Sequence, residues 1–121
     1  AKDGAYVGGV IAPGVNLSLE ALHHAAAALP HVDISKPQNV IGTNTVACMQ
    51  SGVFWGYVGL VREICDRIKA ESGVPMKVIS TGGLAPLFQQ TADLFDAYED
   101  DLTMQGLRRI HEHNKDIGTH A

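Results

Sequence analysis

NTVACMQSGVFWGYVGLVREICDRIKAES, residues 44–72, decides how the rest of the chain is read. Val46, Met49, Val53, Tyr57, Leu60, Ile64 and Ile68 recur at steps of three or four, the spacing of one helix face. Ala47, Phe54, Val58, Val61 and Cys65 widen that stripe. The pattern predicts one long, largely buried helix of roughly 40 Å, at about 1.5 Å per residue. Gln50, Arg62, Glu63, Asp66 and Arg67 interrupt the apolar run, so it is no membrane span. Gly52, Gly56 and Gly59 form a second line at helical spacing, off the centre of the stripe. Each costs about 1 kcal/mol against alanine in a helix interior. Close approach of another backbone would compensate, either from the chain's own sheet or from a second subunit.

Upstream of this helix, Thr43, Asn44 and Thr45 crowd its start. Any of them can cap it by accepting a hydrogen bond from a free backbone N–H. A helix start also suits an anionic or hydroxyl-rich ligand. Downstream, Gly73 supplies a C-cap and Pro75 prevents continuation. Residues 76–80 (MKVIS) then read as a short, buried parallel strand. That strand runs into Thr81-Gly82-Gly83 ahead of a short helix over residues 87–92. A strand ending in Gly-Gly before a helix is a recurrent nucleotide-binding place in α/β folds, although many such pairs are plain turns.

At the other end, Asp3-Gly4 reads as a hairpin turn and residues 5–12 (AYVGGVIA) as a strand. A hairpin needs a strand on each side, which leads us to expect the C-terminal part of a longer protein. Gly8-Gly9 marks a bulge or close approach in that strand, and Pro13-Gly14 breaks it. Ser18 is the expected N-cap of a helix over residues 19–29, buried through Leu19, Leu22, Ala26 and Leu29. Residues 30–37 read as an extended connector. Residues 93–101 are acidic and irregular, with Phe95 and Tyr98 as anchors. A last helix is expected over residues 102–114, capped by Thr103, with Leu102 stapled on Leu107, before a frayed tail from Lys115.

The 121 residues argue for one domain, and 45% hydrophobic content is enough to bury a core. With a net charge of −4 and no dense basic patch, nucleic acid is a poor partner. Cys48 and Cys65 would lie roughly 25 Å apart on one helix and cannot pair, so buried free thiols in a reducing cytoplasm are expected. His23 and His24 point about 100° apart, and His111 and His113 do not share a face. Neither pair is a metal site.

The order of elements suggests half of a two-domain sugar-kinase or actin-like fold. DGAYVGGVIAPGVNLSLEAL, VIGTNTVACMQSGVFWGYVGLV and KVISTGGLAPLF then sharpen it. In this order and spacing they resemble the C-terminal half of type III pantothenate kinases, over residues 3–114. The resemblance implies an α/β fold of actin-like, ribonuclease H-like kinase type, with a mixed sheet, packed helices and one long helix. Residues 1–121 would be a partial C-terminal domain, without the N-terminal domain and the first strand of their own. The family belongs to the acetate and sugar kinase, heat-shock 70 and actin superfamily. It phosphorylates pantothenate with ATP at the first step of coenzyme A synthesis. It works as a cytoplasmic homodimer with Mg²⁺ and a monovalent cation, K⁺ or NH₄⁺.

By the same resemblance, Thr45 in GTNT matches the threonine that contacts pantothenate. Thr81, Gly82 and Gly83 match the adenosine-binding motif, and Gly8, Gly9, Pro13 and Gly14 match a family strand and turn with no contact assigned. The family's two phosphate loops, its catalytic aspartate and its cation ligand fall upstream of Ala1. This chain would then hold no catalytic or metal-binding residue and be inactive alone. A stand-alone dimerisation or interaction module, and a sugar or acetate kinase of the same superfamily, are the alternatives.

Overall fold

A computed structural model describes residues 4–25, 29–89, 91 and 94–118, with the backbone alone at 116–118. The order is α1 (Val15–Ala25), α2 (Thr45–Ser72), β1 (Ile79–Ser80), α3 (Ala85–Gln89), β2 (Ala97–Tyr98) and α4 (Leu102–Gly118). The chain divides into two compact units, Ala1–Tyr57 and Val58–Ala121, with the boundary inside α2.

In the first unit, residues 5–12 are not a strand, which corrects the expectation from their composition. No strand among the described residues pairs with them, and Tyr6, Val7, Val10 and Ile11 stay exposed. The expected Asp3-Gly4 turn falls partly outside the described residues. Helix α1 begins earlier than expected, at Val15. The Ser18 amide donates to the Gly14 carbonyl at 3.0 Å. Gly14 therefore occupies the N-cap position, and Ser18 sits inside the first turn, its hydroxyl donating to the same carbonyl at 3.1 Å. Val15 and Leu19, one turn apart, are buried and anchor this start. Leu22 is exposed, contrary to expectation, and the expected end of the helix at residues 26–28 lies outside the described residues. His23 Nδ1 lies 2.7 Å from the Leu29 carbonyl oxygen, and its ring lies against His31.

Helix α2 has the expected bounds within one residue. Its deepest line is narrower than the sequence stripe. Ser51, Phe54 and Val58 are buried along one face, whereas Val46 and Ile68 are exposed. Phe54 is wholly buried and meets Trp55 edge-to-face at 5.1 Å. Full burial of such a side chain contributes about 1.5–3 kcal/mol. Cys48 is exposed and Cys65 half-buried, so the expected buried pair of thiols is corrected, although both are free.

In the second unit, α2 ends as expected. Gly73 has φ of +64°, and its amide donates to the Lys69 carbonyl at 3.2 Å. That left-handed turn is the usual glycine C-cap. β1 is parallel, as expected, but only Ile79 and Ser80 pair, in register with Ala97 and Tyr98. Ser80 is buried and Ile79 is exposed. The partner strand β2 falls inside the acidic stretch expected to be irregular. Among the described residues the sheet has two parallel strands, rather than the expected mixed sheet.

Helix α3 starts two residues earlier than expected and packs on β2, with Ala85 and Phe88 buried. The Gln105 amide donates to the Asp101 carbonyl at 2.9 Å, so Asp101 and not Thr103 holds the N-cap position of α4. Leu102 and Leu107 both remain exposed, and the helix continues through residues 115–118, which were expected to fray.

Candidate functional site

Two stretches carry the candidate residues, one in each unit. The first is the start of α2. Asn44 Oδ1 accepts the Ala47 amide at 2.9 Å, and the Asn44 carbonyl accepts the Cys48 amide at 2.9 Å. Asn44 is thus the N-cap, side chain and backbone together. Thr45 follows as the first helical residue and is exposed, so its hydroxyl is not needed for capping.

The loop that delivers Thr45 is tied to α2 at several points. Gln50 Nε2 donates to the Asp33 carbonyl at 3.2 Å, and the buried Ser51 hydroxyl donates to the Val40 carbonyl. Cys48 Sγ lies 3.4 Å from the Gly42 carbonyl oxygen. At Gly42 the backbone runs directly over the first turn of α2. A Cβ there would fall 2.7 Å from the Ala47 carbonyl carbon and 2.8 Å from Cys48 Cα, and closer still to the Cys48 amide nitrogen. Sequence reasoning missed Gly42 and Ser51. A lone glycine in a loop and a serine in a helix give no signal of the backbone lying over them.

The second stretch is the turn after β1. Gly82 has φ of +94°, a left-handed conformation that favours glycine, and its carbonyl accepts the Ala85 amide at 3.1 Å. Thr81, Gly82 and Gly83 are all exposed. A Cβ at Gly82 or Gly83 would meet nothing within 4 Å, so the backbone of this turn is open. The strand beneath is clasped to the other. Val78 N–H donates to Asp96 Oδ2 at 2.6 Å, and the Asp96 amide donates back to the Val78 carbonyl at 2.8 Å. The Glu99 amide donates to the Ser80 carbonyl at 2.9 Å, and the Ser80 hydroxyl donates to the Ala97 carbonyl at 3.3 Å. Asp96 was also missed, because within an acidic run it reads as surface charge.

The structure brings Thr81, Gly82 and Gly83 together in one turn, while Thr45 belongs to the other unit. Gly8, Gly9 and Gly14 lie in or beside the exposed segment, with φ of +143° at Gly8. Gly52, Gly56 and Gly59 are exposed, and a Cβ at each would meet nothing within 4 Å. Among the described residues, no group of three or more His, Cys, Asp or Glu side chains is placed to hold a metal ion. No helix among them is long and apolar enough to cross a membrane.

A parallel strand that ends in an exposed glycine turn before a helix is a recurrent arrangement in α/β folds. Comparison with known proteins makes the class specific. The family model for type III pantothenate kinase matches residues 1–67, more than half of the chain. The chain is 98% identical over its whole length to a type III pantothenate kinase of Ruegeria sp., of which it covers 46%. It is 82% identical over 94% of its length to that of Roseobacter denitrificans, covering 44%, and 80% identical over 97% to that of Ruegeria pomeroyi, covering 45%. The chain belongs to the type III pantothenate kinase family, and it spans less than half the length of these curated relatives.

Proposed function

We propose that the full-length protein phosphorylates pantothenate with ATP to 4'-phosphopantothenate, the first step of coenzyme A synthesis. The observation that carries this reading is the family match, together with relatives of that printed name at up to 98% identity. It favours this kinase over a stand-alone interaction module and over a sugar or acetate kinase. On this reading, residues 1–121 are the C-terminal part of a cytoplasmic, two-domain enzyme of actin-like, ribonuclease H-like fold.

Thr45 donates or accepts a hydrogen bond with pantothenate. The capping bond made by Asn44 supports this role, since it frees the threonine hydroxyl. Thr81, Gly82 and Gly83 take the adenosine of ATP, and the open backbone at Gly82 and Gly83 fits a flat ring lying against it. Mg²⁺ and K⁺ or NH₄⁺ would be held by residues of the whole enzyme outside this chain, and Mg²⁺ would supply charge neutralisation for phosphoryl transfer. A second copy packs along Gly52, Gly56 and Gly59.

The test is ATP-dependent phosphorylation of pantothenate by the full-length protein, read as ADP release, with glucose and acetate as competing acceptors. Turnover on pantothenate alone is expected from the full-length protein, and none from residues 1–121. Turnover on another acceptor, or activity in the isolated chain, overturns the reading.

A further inference from the structure

We infer that Asp96 is a positioning residue for the ATP-binding turn, acting through the strand that leads into it. The inference rests on the reading of Thr81-Gly82-Gly83 as the adenosine site. β1 and β2 pair over only two residues each. So short a ladder fixes a strand end weakly. The clasp just before it makes good the deficit. Both backbone groups of Val78 go to Asp96: the N–H to carboxylate Oδ2 at 2.6 Å, and the carbonyl to the Asp96 amide at 2.8 Å. A carboxylate acceptor makes the first of these a short, charge-assisted bond. Val78 lies three residues before Thr81, about 10 Å along an extended strand. The clasp therefore sets where β1 starts, and the Glu99–Ser80 bond sets where it ends. Together they fix the height at which Gly82 and Gly83 emerge.

The experiment compares Asp96→Ala and Asp96→Asn in the full-length enzyme, with Gly83→Val beside them, and measures KM for both substrates. Asparagine keeps a side-chain oxygen for the Val78 amide, whereas alanine keeps none. Looser seating of the turn predicts an ATP KM raised at least about twofold in Asp96→Ala, with about tenfold as the ceiling set by the worth of the lost intrachain bond. The pantothenate KM should stay within about twofold, and Asp96→Asn, which keeps a neutral and weaker acceptor, should fall between the unaltered enzyme and Asp96→Ala. An unchanged ATP KM in Asp96→Ala, or equal rises for both substrates, overturns the inference. So does an Asp96→Asn variant as impaired as Asp96→Ala. If Asp96→Ala does not fold, Asp96→Glu decides by the same split, because its longer arm misplaces the acceptor. An ATP effect in Gly83→Val without one in Asp96→Ala removes the positioning role alone. No ATP effect in Gly83→Val removes the adenosine reading and this inference with it.

Discussion

Asn44 and Thr45 are adjacent, and two substitutions can separate the cap that Asn44 makes from the pantothenate contact proposed for Thr45. Asn44→Ala deletes the 2.9 Å bond from the Ala47 amide to the cap oxygen. Replacing an asparagine cap by alanine costs about 0.5–2 kcal/mol, typically about 1. The site is exposed, so water takes over the freed amide and the low half of that range applies. Thr45→Val leaves the cap intact and exchanges two residues of similar helix propensity. Its effect on stability should stay within about 0.5 kcal/mol. What it removes is the hydroxyl offered to pantothenate, and one hydrogen bond to a neutral ligand is worth about 0.5–1.5 kcal/mol. That predicts a loss of about three- to tenfold in kcat/KM for pantothenate, with the ATP constants unchanged. Urea denaturation and steady-state kinetics of the full-length enzyme read the two effects independently. A Thr45→Val enzyme that loses 1 kcal/mol or more of stability, at about the cap value, while keeping its pantothenate kinetics would refute the assignment.

Gly83→Val places a branched side chain where the open turn would receive a flat ring, so KM for ATP should rise more than KM for pantothenate; equal effects would leave a plain turn. Gly42→Ala forces a Cβ against the first turn of α2 at under 3 Å from backbone atoms. Overpacking of this kind costs about 1–3 kcal/mol, measurable as a lower urea midpoint, and an unchanged midpoint would mean that the loop can move away freely. Gly56→Leu meets open space in this chain, so folding should be unharmed. Dimerisation of the full-length protein should weaken by about 1–3 kcal/mol, read by sedimentation at low micromolar concentration, and an unaltered dimer would count against the packing along this line.

Helix α2 was legible because independent local signals agreed. The apolar period, the Thr43-Asn44-Thr45 cap cluster and the Gly73-x-Pro75 stop all point to the same bounds, and Asn44 and Gly73 make the bonds expected of them. The strands were not legible in the same way. Residues 5–12 have strand composition, but a strand exists only with a neighbour, and none pairs with them among the described residues. Conversely, Ala97 and Tyr98 sit in an acidic run that masks their strand character, and they pair beside the bond from the Val78 amide to Asp96. Of the candidate site, the residues proposed to meet a ligand were named from their motifs. The residues that hold them in place, Gly42, Ser51 and Asp96, could not, since their partners lie 6, 11 and 18 positions away along the chain.

The glycine line shows why exposure and cost must be weighed together. At 100° per residue, Gly52, Gly56 and Gly59 cluster on the face of α2 opposite Phe54 and Val58, the side chains most deeply buried on the helix. Burial of Phe54 and Val58 therefore does not offset them, and Met49 is the one buried side chain near their line. Three interior glycines cost about 3 kcal/mol against alanine, a large part of a typical folding free energy of about 5–15 kcal/mol. The described residues put nothing within 4 Å of where their Cβ atoms would stand. A backbone from the part of the full-length protein outside this chain, or from a second subunit, could lie against this line of the helix, where glycine leaves no Cβ in the way, and the Gly56→Leu sedimentation measurement separates the two.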